Sequence, residues 1–175
     1  MVVALAFDAT ACAWATSEAP SQTPSPASSA KSQDPLDRKS PQSAAIAFLD
    51  ACKAGDYARA MRYLDLRHMT VEQRRKEGPV LARDLAAILE RDAEFDVAAL
   101  SRDPEGDKHD SKAANRERLV ALNLEGQAFE LFMERVELRA SEVYVWLIAP
   151  DSVDLIPKLA QLTSENLIER HLPPP

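Results

Sequence analysis

Between Ser40 and Asp65 apolar residues recur at three- and four-residue steps, and the breaks in that rhythm fall on residues suited to helix ends. Ser40 is a good N-cap, and Pro41 suits the first helical position, where a missing N–H costs nothing. Ala45, Phe48, Leu49 and Cys52 then share one face, and Gly55 can take the left-handed conformation that ends a helix. Asp56 caps a second helix in which Tyr57, Ala60, Met61 and Leu64 repeat the spacing. Isolated helices this short are marginal in water. The pattern therefore predicts a helical hairpin whose apolar stripes pack on each other and on something further along.

Thr70-Val71-Glu72-Gln73 reads as a capping box that opens a short polar helix stopping near Gly78. Pro79 is expected to start another, with Leu81, Leu85, Ile88 and Leu89 on one face as far as about Arg91. Asp103 to Lys112 is a polar turn region. The period then changes. Val120, Leu122 and Leu124 alternate with polar or small residues, Glu125-Gly126 makes a turn, and Phe129, Leu131 and Met133 alternate again, which predicts a β-hairpin. Val143–Ile148 is β-branched, aromatic and apolar at successive positions, so this third strand should be buried on both faces or sit centrally. Asp151 and Ser152 cap a last short helix carrying Val153, Ile156, Leu159 and Leu162, with Pro157 expected to kink it or begin a new turn. The predicted fold class is α+β: an N-terminal helical hairpin and two further helices packed on a three-stranded antiparallel meander, with a short C-terminal helix.

Composition changes this picture at the ends. At 175 residues, 46% hydrophobic and 28% charged, the chain has room for one ordinary domain plus a tail. A net charge of -7 argues against a nucleic-acid groove, which needs clustered Lys and Arg. The apolar run Met1 to Phe7, like every other in the chain, falls far short of the roughly 20 residues that span a bilayer. That run, followed by small residues and Ala13-Trp14-Ala15, reads as a signal peptide cleaved after Ala15, although no Lys or Arg precedes it and Asp8 interrupts it. Lipid attachment at Cys12 is the minor alternative. Residues 16–39, with Pro20, Pro24, Pro26 and Pro35 among Ser, Gln, Thr and Ala, read as a disordered linker. The division expected is thus a signal peptide at 1–15, a linker at 16–39, one α+β domain at 40–172 and a tail at 173–175. The expected location is the periplasm.

Few residues carry chemistry. Gly55, Gly78, Gly106 and Gly126 each fall at a predicted element boundary, so no phosphate-cradling loop or dinucleotide fingerprint is present. His68, His109 and His171 lie far apart without zinc-ligand spacing. Asp103-Pro104-Glu105-Gly106-Asp107 with Asp110 superficially resembles a calcium loop, but the glycine is misplaced and Ala114 stands where the last carboxylate belongs. A solvated acidic turn is the better reading. Asp50 and Asp65 read as surface and helix-end charges rather than paired catalytic carboxylates, since no base or nucleophile accompanies them. Cys52 reads as a small apolar filler of the first helix. Tyr144 and Trp146 are the candidate pocket or packing residues, a strand aromatic being core more often than a ligand platform. No catalytic, metal or cofactor site is expected, and the chain is not expected to be an enzyme.

Five blocks carry a resemblance: SPQSAAIAFLDACKAGDYARAMRYLDL, GPVLARDLAAILERDAEFDVAALSRDPEGD, RERLVALNLEGQAFELFMERVEL, VWLIAPDSVDLIPKLAQL and ERHLPPP. In order and spacing, from Ser40 to Pro175, they resemble the N-terminal extracytoplasmic region of a bacterial branch of the MscS-type (small-conductance mechanosensitive) ion channel family. The resemblance implies a non-catalytic exported domain that precedes a membrane pore, with a channel subunit as candidate partner. Leu172-Pro173-Pro174-Pro175 falls where such a chain would approach its first membrane helix, so no pore residue carries over and a truncated or free-standing subunit is expected. Ala160-Gln161-Leu162 and the tight Glu125-Gly126 turn depart from the family pattern. The alternative expectation is a stand-alone module for a small molecule or the cell wall, with a pocket under Trp146.

Overall fold

A computed structural model describes residues 34–107, 115–138 and 143–171, with side chains of the last helix as far as Ser164. Ser40 and Ser43 close a capping box in which each hydroxyl accepts from the other's backbone N–H, and helix α1 (Pro41–Lys53) follows. Such a cap contributes about 1 kcal/mol. Gly55, at φ +72°, reverses the chain, and the Asp56 carboxylate accepts from Arg59 N at 2.9 Å to start α2 (Tyr57–Ala60). The second arm of the hairpin is a single α turn continued by a 3-10 turn at Met61–Tyr63. It stops there because Leu64 turns extended and bridges Ile148 in parallel.

Two expected helices prove to be one. Thr70 and Gln73 form the predicted capping box, but α3 runs from Val71 to Arg91 through both Gly78 and Pro79. Pro79 removes one ladder donor. Tertiary burial outweighs that loss: Leu81, Ala82, Leu85, Ala86, Ile88 and Leu89 all face the core. Gly78 is no helix end. A Cβ there would stand 2.8 Å from Met61 Sδ and 3.1 Å from Leu66 Cδ1, so its lack of side chain lets α3 press against the hairpin. The C-terminal helix α4 (Pro150–His171) is likewise long rather than short and continues past Pro157. Its Val153, Ile156 and Leu159 are fully buried, which pins both sides of the proline to the core.

The meander matches the expectation. Strands β1 (Arg116–Leu124), β2 (Gln127–Leu138) and β3 (Val143–Ile148) pair antiparallel in sequential order. Glu125 and Gly126, at φ 52° and 74°, make the two-residue turn between β1 and β2. The register sets Leu122 against Phe129 and Val120 against Leu131, with a bulge at Leu119 that turns two successive side chains inward. α1, α3 and α4 supply apolar side chains to one core with the inner sheet face, which includes Leu131, Met133, Trp146 and Ile148. β3 is buried on both faces, because Val145 and Leu147 join Val136 in a second, smaller cluster on the other side. It is a terminal strand, not a central one.

The folded unit starts earlier than composition suggests. Asp34–Lys39, expected within the linker, packs against the domain: Leu36 is buried, and Arg38 is held by the Asp34 carboxylate through Nε at 2.9 Å and Nη2 at 2.8 Å. The proposed signal peptide, residues 16–33 of the linker, Cys12 and the tail lie outside the described residues.

Candidate functional site

β3 carries both aromatic candidates two residues apart, which places them on the same face, yet their surroundings differ completely. Trp146 is 1% exposed. Its indole Nε1 donates to Pro104 O at 3.0 Å, and its backbone N donates to Arg38 O at 2.8 Å. A turn closed by Gly106 N donating to Asp103 O lies against the ring so closely that a Cβ on Gly106 would stand 2.8 Å from Cη2. Gly106 also has φ +79°, so two independent constraints demand glycine. Trp146 therefore fills the core and clamps this loop. Tyr144 is 49% exposed, with the Arg135 guanidinium 4.5 Å above its ring. The two rings do not converge on one pocket.

The acidic turn is built into the domain rather than merely solvated. Asp103 Oδ1 accepts from Glu105 N at 2.9 Å, a local turn bond. Glu117, buried on β1, accepts from Ser101 N at 2.6 Å and from Asp107 N at 3.3 Å. These carboxylates hold backbone. His109, Asp110 and Ala114 lie outside the described residues. Among the described residues no group of three or more His, Cys, Asp or Glu is placed to hold a metal ion.

Asp65 is not a surface charge. It is 1% exposed, its carboxylate accepts from Arg67 N and Nε at 3.2 and 2.8 Å, and its own N donates to Ile148 O at 2.9 Å. Hydrogen bonding to Asp65 pushes the Arg67 guanidinium further up. Asp50 is exposed beside a shallow hollow at the start of α1 that also contains Lys39, Ile46 and Arg102. His68 lies on the surface with Nε2 3.4 Å from Asp154, and His171 closes α4. Cys52 is buried, and burial together with the Glu90 charge pushes its thiol up to about 11. It stays protonated and unreactive at neutral pH.

Sequence reasoning missed the Asp34–Arg38 pair and Glu117. Burial pushes the Asp34 carboxyl up, but hydrogen bonds from the Arg38 side chain and backbone, with its charge, outweigh that and hold it below its ordinary value. The i,i+4 spacing of Asp34 and Arg38 was a legible signal, overridden by the Pro- and Ser-rich composition around it. Glu117 carried none, because the two amides it binds come from a loop.

One groove of about 430 Å³ runs between Asp92–Leu100 and the outer edge of β1 at Glu117–Ala121. Phe95 lies half-buried in it, and carboxylates dominate its polar lining: Asp92, Glu94, Asp96, Asp107 and Glu117. The one guanidinium among its described lining residues, Arg118, donates to Glu130 at 3.1 Å. Among the described residues no nucleophile–base pair lines it.

The chain matches no protein-family model, no curated protein and no solved structure. Among the described residues no helix is long and apolar enough to cross a membrane.

Proposed function

We propose that this chain is a non-catalytic, exported interaction domain of the MscS-type channel class, acting as a regulatory or accessory part beside a channel subunit. What supports the reading is the way the resembling blocks sit together. The first block forms α1 and α2, the second the core-facing half of α3 and the Trp146-clamping turn, the third β1 and β2, and the fourth β3 and the start of α4. Most of their buried apolar residues share one core. The reading takes the four described blocks together as one domain, since a core depends on mutual packing.

The alternative of a ligand pocket under Trp146 has less support, because Trp146, Met133 and Leu131 are each at most 1% exposed and fill that sheet face. A close-packed face leaves no room for a drug-sized ligand.

Expression of the tagged full chain in a bacterium that carries an MscS-type channel, followed by fractionation and in-cell cross-linking, tests the proposal. The expected result is a periplasmic protein shortened at its N-terminus and cross-linked to a channel subunit identified by mass spectrometry. Retention in the cytoplasm with an intact N-terminus, or cross-links that never include a channel subunit, overturns it.

A further inference from the structure

From the groove along β1 we infer that this strand edge is a docking site for a short, basic, extended peptide segment of a partner protein, added as a fourth strand to the sheet. The inference goes beyond the channel reading and does not depend on it, since the same edge would serve any assembly.

Three observations carry it. The sheet order is β1-β2-β3, so the outer edge of β1 has no strand beyond it among the described residues. An open edge offers a row of backbone N–H and C=O groups, which extended peptides use by strand addition. The groove follows that edge: five successive residues, Glu117 to Ala121, contribute to its lining, which requires backbone rather than one side-chain face to border it. The facing wall is the segment from Asp92 to Leu100, so an inserted strand would lie between two walls instead of on an open surface.

Charge selects the occupant. Glu94, Asp96 and Asp107 are exposed around the groove, and Asp92 Oδ2 is shielded from water with no hydrogen-bond partner among the described residues. Among the described residues the one cation there, Arg118, is already paired with Glu130. The exposed carboxylates favour an incoming ammonium or guanidinium, which can reach them with charge-assisted hydrogen bonds. Acidic segments are repelled by the same wall. The bulge at Leu119 interrupts the edge, which limits the added strand to a short one.

The test uses the full chain and a fluorescein-labelled heptapeptide that alternates lysine with threonine and valine. The expected result is saturable binding by anisotropy, with amide shift changes confined to Glu117–Ala121 and the Asp92–Asp96 segment. Affinity should fall about tenfold or more on raising salt from 50 to 500 mM, as for exposed charges. The triple variant D92K/E94K/D96K, checked for an unchanged fold by its amide spectrum, should lose binding. So should a peptide N-methylated along one edge, which keeps every charge but loses its strand donors. Equal binding by a glutamate-for-lysine peptide, undiminished binding by the N-methylated one, or no binding at all overturns the proposal. Concentration-dependent changes at the same amides without peptide would also overturn it, by making a second copy of the chain the occupant.

Discussion

The two outer edges of the sheet are treated in opposite ways. At β3, Trp146 N donates to Arg38 O and Ile148 O accepts from Asp65 N, so irregular segments from before α1 and after α2 occupy the edge's backbone groups. At β1, among the described residues, side chains and a loop stand near the edge, and a groove separates the strand from that loop. The difference has a physical origin. β3 carries Val145, Trp146, Leu147 and Ile148, all buried, and an apolar strand with an open edge would template aggregation. β1 opens with Arg116, Glu117 and Arg118 and carries a bulge, devices that protect an edge without covering it. Covering an edge fixes it into the fold, while guarding one with charge leaves it usable.

The largest expected effect is on the covered edge. Asp34→Ala leaves Arg38 8% exposed without its counter-charge, and breaking such a buried pair costs about 3 kcal/mol. Because Leu36 O accepts from the Tyr63 hydroxyl and Arg38 O from Trp146 N, the whole segment should release together. Urea denaturation should show the loss, and native-state hydrogen exchange should quicken at the Trp146 amide. Acid should do the same to the unaltered chain. The folded-state Asp34 titrates below its ordinary value, so its contribution is complete above the unfolded-state value and disappears as pH falls through the folded one. Below about pH 4 the protection of the Trp146 amide, relative to the intrinsic exchange rate at the same pH, should begin to fall, an ordinary carboxylate titrating near there. An amide that stays protected in Asp34→Ala would mean that the edge is covered by something other than this pair.

A matched pair of glycine substitutions sharpens the contrast between the loop over Trp146 and the free hairpin turn. Gly106 and Gly126 both have positive φ, so alanine strains each backbone by about 1 kcal/mol. Only at Gly106 would the new Cβ meet a rigid ring, 2.8 Å from Cη2 and 2.9 Å from Cζ2 of Trp146, whereas nothing lies within 4 Å at Gly126. Gly106→Ala should therefore cost about 2–3 kcal/mol, the excess coming from overpacking. Gly126→Ala should cost about 1 kcal/mol. Chemical denaturation measures both, and equal losses would mean that the loop does not depend on its contact with the indole.

Much of this architecture was legible because local signals agreed with the fold. The caps at Ser40, Asp56 and Thr70, the Glu125-Gly126 turn and the alternation of Val120, Leu122 and Leu124 each act within a few residues, so pattern alone exposes them. Gly78, Pro79 and Pro157 misled for the converse reason. Their local preference is to end helices, and burial of Leu81, Leu85, Ile156 and Leu159 from the far side of the fold outweighs it. Trp146 could be read as core from its strand, but not its bond to Pro104, which reaches across 42 positions. The groove was hidden altogether, since it exists only where Asp92–Leu100 passes β1.

The smallest expected effect falls on the guarded edge, and its smallness is the point. Glu94 and Asp96 are exposed, and although Asp96 caps the short turn at Val97–Ala99 through Ala98 N, that turn buries none of its residues. Exposed changes away from packed features usually move stability by no more than about 0.5 kcal/mol. E94K together with D96K should therefore leave the urea midpoint nearly unchanged, while Asp34→Ala at the other edge shifts it strongly. If the double variant destabilises the chain as much as Asp34→Ala does, the wall belongs to the folding core, and the two edges differ in degree rather than in role.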